Sequence, residues 1–154
     1  PICREAARRG WPILHHIWQH RRREWPMQEA SDALELARLA ARHPDVHFVL
    51  AHIGGGGDWA HTNPAIVDHP NIHPDLSGSG VDRGMLDAAL AVLGPRRLLW
   101  ACDLTLCTGL AKLRALAHTG IDREALDDVC WRNAVRLFPR GAFGLDEHGA
   151  ERAA

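Results

Sequence analysis

The chain has 154 residues, enough for one domain with a genuine core but short of the roughly 250 residues of a complete eight-unit barrel. Its formal net charge of −1 leaves no basic field to recruit nucleic acid or acidic lipid, and no apolar stretch nears the roughly 20 residues that cross a bilayer. The expectation is a cytoplasmic protein acting on a small molecule, with neither nucleic acid nor membrane as partner. Arg21, Arg22 and Arg23 read as a solvated edge.

Residues 2 to 9 read as the end of a helix closed by Gly10, after which Trp11-Pro12 leads into the apolar run Ile13 to Ile17. From about Met27 to Arg42, Ala30, Ala33, Leu34, Leu36, Ala37 and Leu39 recur at helical spacing, with Ser31 or Asp32 as cap. His43-Pro44-Asp45 stops that helix, and Val46 to Ala51 is apolar apart from His47, as suits a strand covered on both faces. Ala60 to Val67 predicts a brief helix, Ile72 to Leu76 a weak strand interrupted by Pro74, and Val81 to Leu93 a clear helix ended by Gly94-Pro95. Arg97 to Ala101 reads as a fourth strand, followed by helices over Leu110–Ala117 and Asp122–Leu137, with Asp122 as cap. The tail from 141 to 154 is expected to fray, leaving residues 1–140 as the domain.

Strands alternating with helices in this way predict right-handed parallel βαβ units. The fold expected is therefore α/β: about four parallel strands and their helices, the C-terminal half of a (β/α)8 barrel, with closing C-terminal helices.

Three of the predicted strands run into a residue able to bind a metal or move a proton: His16, His52 and Asp103. A parallel barrel gathers the carboxyl ends of its strands on one open face, where its chemistry is presented. His15 and His16 must point to opposite faces of a strand; His16 is assigned to the interior, and His15 to packing against a helix. His20 would share a face with His16 only in a helix, which Pro12 and Ile17 argue against.

His52, followed by Gly54-Gly55-Gly56-Gly57, is read as a metal ligand or as a proton shuttle working near neutral pH. The Asp103 carboxylate at the lip of a buried strand needs a compensating cation. A divalent metal suits a carboxylate with imidazoles: zinc first, manganese as the alternative. Most of the eleven histidines, including His43, His61, His69, His118 and His148, are expected at the surface. Cys3, Cys102, Cys107 and Cys130 match no common zinc knuckle and read as reduced thiols, Cys102 buried.

Pro12 to His16, Phe48 to Gly56, Asn71 to Ser77, Leu98 to Asp103 and Arg132 to Phe138 together resemble successive blocks of the amidohydrolase-related proteins. These are metal-dependent (β/α)8 enzymes that include hydrolases and non-oxidative decarboxylases of the aminocarboxymuconate-semialdehyde type. The resemblance implies that His16 ends the fifth strand as a metal ligand, that His52 ends the sixth as an acid/base or occasional ligand, and that Asp103 ends the eighth as a ligand. It also implies a His-x-His pair on a first strand, which no position here matches. Ala101-Cys102 stands where the family commonly has Gly-Ser.

On this reading the chain is a fragment, expected to be weakly active or inactive alone, and a homodimer is one way to cover its open interior. The activity expected of the parent is hydrolysis by a metal-activated water, with Asp103 handling the water proton and His52 moving protons to the substrate. Two alternatives stand beside it: a metal-dependent decarboxylase, and an α/β binding domain in which His and Asp are only structural.

Overall fold

The computed structural model describes residues 1–17, 31–53, 59–78, 82–104, 109–139 and 142. Helix α1 (Ile2–Arg9) ends on Gly10, whose φ of 65° is the left-handed cap expected of that glycine. Strand β1 (Ile13–His16), helix α2 (Ala33–Arg42), strand β2 (Phe48–Ala51), helix α3 (Trp59–Ile66) and strand β3 (Ile72–Pro74) follow in turn. Helices α4 (Met85–Leu93), α5 (Leu110–His118), α6 (Arg123–Asp127) and α7 (Asn133–Leu137) follow among the described residues.

The three strands form one parallel sheet in sequence order, with Ile13 opposite Phe48 and Phe48 opposite Ile72. Strand, helix, parallel strand, repeated, is one side of the predicted (β/α)8 barrel.

The core lies between sheet and helices. Phe48, Leu50, Ile72 and Leu76 pack with Leu36 of α2, Ile66 of α3 and Leu86 of α4, all fully or nearly buried. On the other face Val49 and Leu99 meet Leu137 of α7. Leu14, on the same face of β1 as His16, stays 67% exposed.

Two polar anchors fix the ends of these units. The Asn71 amide donates to the carbonyls of Ala40, His43 and Val46, binding the end of α2 to the start of β3. The Arg97 guanidinium donates to the carbonyls of Ile66, Val67, His69 and Ile72, and so closes α3 in the same manner.

The fourth strand is a correction. Pro95–Arg97 is a single 3₁₀ turn, and among the described residues the pairing beyond it is one parallel bridge between Asp75 and Leu99. Leu99 donates to Pro74 O and its carbonyl accepts from Leu76 N, whereas Trp100 N turns away to Val129 O. Holding the Arg97 side chain on α3 and spending the Trp100 N–H on a helix leaves one residue for the ladder.

That same bond explains a second difference. The helix expected from Asp122 to Leu137 is interrupted by a π turn at Asp128–Arg132. Val129 O serves the sheet-side Trp100, and the Asn133 amide reaches across to the carbonyls of Pro95 and Leu98.

The third strand is also shorter than expected, because its pairing with β2 ends at Pro74. Asp32 rather than Ser31 caps α2, accepting from Leu34 N and Glu35 N while Glu35 accepts from Asp32 N. The α2 residues expected from Met27 to Ala30, together with His20, Gly54–Gly57, Cys107, His148 and the tail, lie outside the described residues, apart from Ala142.

Candidate metal centre

The carboxyl ends of the strands share one edge of the sheet, and two of the predicted site residues, His16 and His52, stand there. His16 is the last residue of β1, opposite Ala51; His52 follows β2 directly, and Asp103 comes four residues beyond the Leu99 bridge.

The structure brings His16 and His52 together. Their rings meet edge to face, centroids 4.8 Å apart at 86°. His15, on the opposite face of β1, is half-buried with Nε2 3.0 Å from Ser31 Oγ, and burial followed by the adjacent His16 lowers its pKa. The same hydroxyl donates to His16 O at 2.9 Å, so Ser31 ties the start of α2 to the end of β1.

Backbone conformation singles out the same positions. Among the described residues, the non-glycine residues with positive φ are His52, at 64°, and Asp103, at 57°. A left-handed backbone costs a residue with a Cβ roughly 1–2 kcal/mol and persists where surrounding structure imposes it, most often at functional sites.

For His52 the imposing structure is a carboxylate not anticipated from the sequence. Asp75 is 6% exposed and its Oδ1 accepts from His52 N at 3.0 Å, from Ser77 N at 2.8 Å and from the Ser77 hydroxyl. Ser77 Oγ in turn lies 2.8 Å from His52 Nδ1. The Lys112 ammonium, buried on α5, donates to Gly78 O and holds the far side of this loop. Gly78 has φ +93°, and a Cβ there would come within 3.0 Å of His52 Nδ1, so glycine is what admits the ring.

Asp75 and Ser77 belong to a block already noted for its resemblance, yet nothing in periodicity gave them roles. The available signal was local: an Asp ending a strand with Ser two residues on is the pattern of an Asx turn.

The other expectations fall out variously. Asp103 is half-buried, and among the described residues no cluster of three metal-ligating side chains forms. Two touching imidazoles and, in sequence beyond the Leu99 bridge, a carboxylate are donor types that suit a divalent metal, and among the described residues they do not form a complete site. Cys3, Cys102 and Cys130 are free thiols as expected, though Cys102 is half-buried rather than buried. His61 and His118 are at the surface, whereas His43 and His69 are partly covered. No described helix is long and apolar enough to cross a membrane.

Comparison with known proteins agrees with this architecture. One similar solved structure is an amidohydrolase 2 from Bifidobacterium longum subsp. infantis, 18% identical with a TM-score of 0.65 over 88% of this chain and 52% of its own. Another is a zinc-bound amidohydrolase from Burkholderia multivorans, 19% identical, TM-score 0.61, over 89% of this chain and 57% of that one. A third is the 5-carboxyvanillate decarboxylase of Sphingomonas paucimobilis, 18% identical, TM-score 0.62, over 90% and 52%. The chain thus spans about half the length of these solved relatives, and no curated protein matches it. At such identities the likeness speaks for the fold, while residues 1–140 match the sequence family described as amidohydrolase. With sheet, strand-end histidines and sequence family in agreement, the chain belongs to the amidohydrolase family.

Proposed function

We infer that this chain carries the C-terminal part of a divalent-metal site whose parent protein hydrolyses a small carbonyl-type substrate. The observation that carries the reading is the contact of His16 and His52 at the ends of adjacent parallel strands, with His52 in a strained backbone. His16 and Asp103 would hold the metal, zinc or alternatively manganese, and His52 would serve as acid/base. A metal bound there supplies Lewis acidity and a water acidified toward neutrality.

The remaining work falls to the chain's own groups. The Asp103 carboxylate accepts a proton at its oxygen. The His52 imidazole, braced through Nδ1 by Ser77, gives or takes a proton on the substrate side through its other nitrogen. Substrate selectivity would lie in the βα loops above the sheet.

A second reading, decarboxylation, has a specific support in the structural likeness to the Sphingomonas decarboxylase. There His52 would protonate the carbon from which carbon dioxide leaves. The exposed Leu14, on β1 at the end of the strand order among the described residues, also supports the proposal that a second copy can pair there.

The test is metal content and zinc affinity of the purified chain beside a His16→Ala/Asp103→Ala double variant. Stoichiometric zinc lost in the variant supports the site, and a panel of esters and hydroxybenzoates then separates hydrolysis from carbon dioxide release. Equal metal in both proteins, or none in either, refutes the assignment of these ligands.

A further inference from the structure

We propose that Asp75 and Ser77 are positioning residues that lock His52 in one tautomer, with the proton on Nδ1 and Nε2 left as the unprotonated ring nitrogen. The protons available around Asp75 fix the tautomer. A carboxylate offers only lone pairs, and Asp75 Oδ1 receives three donors: the main-chain N–H of His52, that of Ser77, and the Ser77 hydroxyl. The hydroxyl has one proton, and it is spent on Asp75. Ser77 Oγ therefore meets His52 Nδ1, 2.8 Å away, with a lone pair, and the ring nitrogen must be the donor.

The opposite tautomer would turn the Ser77 proton toward His52. It would leave the hydroxyl oxygen and a nearly buried carboxylate oxygen in contact with no proton between them. Two facing lone pairs beside a buried carboxylate are repulsive.

The surroundings keep the ring from escaping this choice. Gly78 leaves no room beside Nδ1 for any larger residue, and the buried Lys112 grips the Gly78 carbonyl from the helix side. His52 thereby presents to its neighbours a nitrogen that can take up a proton or offer its electron pair to a cation, but cannot donate a hydrogen bond while the imidazole is neutral.

The chemical consequence rests on the reading of His52 as acid/base; the tautomer itself does not. The experiment is a long-range proton–nitrogen correlation spectrum of the full metal-free chain labelled with ¹⁵N-histidine. It is recorded at a pH where the His52 nitrogen shifts are those of a neutral ring. His52 is assigned by the signal lost in His52→Gln.

The expected spectrum shows a protonated Nδ1 and an unprotonated Nε2 at His52. Ser77→Ala should lose that pattern, shifting the ring toward the Nε2–H form, and Ser77→Thr should restore it. An Nε2–H ring in the unaltered protein overturns the proposal whatever the variants do, as does an Nδ1–H pattern unchanged in Ser77→Ala. Failure of metal binding with the Nδ1–H ring intact would remove the proposed function and leave this assignment standing, and the two outcomes can equally be reversed.

Discussion

Replacing His73 by Gln should remove much of the protein's sensitivity to mild acid. His73 lies on β3 with Nε2 3.0 Å from His47 Nδ1, and burial, then the neighbouring His47 and then Arg97, lower its pKa from 6.5 to about 4. As pH falls, the unfolded chain takes up this proton before the folded one does. The stabilising contribution is therefore whole above about pH 6.5 and is lost on the way down to about 4. At about 1.4 kcal/mol per pH unit the full interval bounds the loss at about 3 kcal/mol, of which about 2 falls between pH 7 and pH 4.5. Denaturant unfolding followed by tryptophan fluorescence at those two pH values reads it directly, and His73→Gln should shrink the difference by about that amount. The slope that remains should include a part from His15, whose pKa burial lowers in the same direction. If His73→Gln loses as much stability as the unaltered chain between the two pH values, the buried neutral imidazole is not the source of the acid sensitivity.

Arg97→Ala should destabilise by about 3 kcal/mol or more, since four main-chain carbonyls lose a charged donor, and Arg97→Lys should recover only part because an ammonium lacks the planar fork; chemical denaturation measures both. Asn63 is 2% exposed and, among the described residues, neither polar atom of its amide has a partner, so Asn63→Leu should stabilise by about 1–2 kcal/mol and raise Tm by several degrees. At the two left-handed positions, His52→Val and Asp103→Val should each cost about 1–2 kcal/mol more than the matching Asn variant, because Asn tolerates this backbone and a β-branched residue does not. Equal stabilities for Val and Asn at either position would show that the strain is not held there.

The order of elements was legible because each unit carries local signals that tertiary contacts did not override. Gly10 closes α1, Asp32 caps α2, Asp122 caps α6 by accepting from Ala125 N, and Phe48–Ala51 is apolar throughout because helices cover one face and α7 the other. His16 and His52 were legible for a related reason: a polar residue ending an apolar strand in a parallel sheet has only the common edge to occupy. What remained hidden depends on groups distant in sequence. Arg97 looks like the start of a strand until its guanidinium is seen on the carbonyls of α3 and β3, and the Asp122–Leu137 helix looks continuous until Val129 O is claimed by Trp100 N. Asp75 and Ser77 carry no periodic pattern. Their role arises only when the βα turn after β3 folds against the end of β2, 25 residues away for the Ser77–His52 pair. Sequence alone thus indicated the order of the elements and the apolar runs that become β1, β2 and β3, since propensity and capping act over a few residues. Tertiary structure decided which histidine is braced, and by what, because a hydrogen-bond partner is chosen by proximity in space.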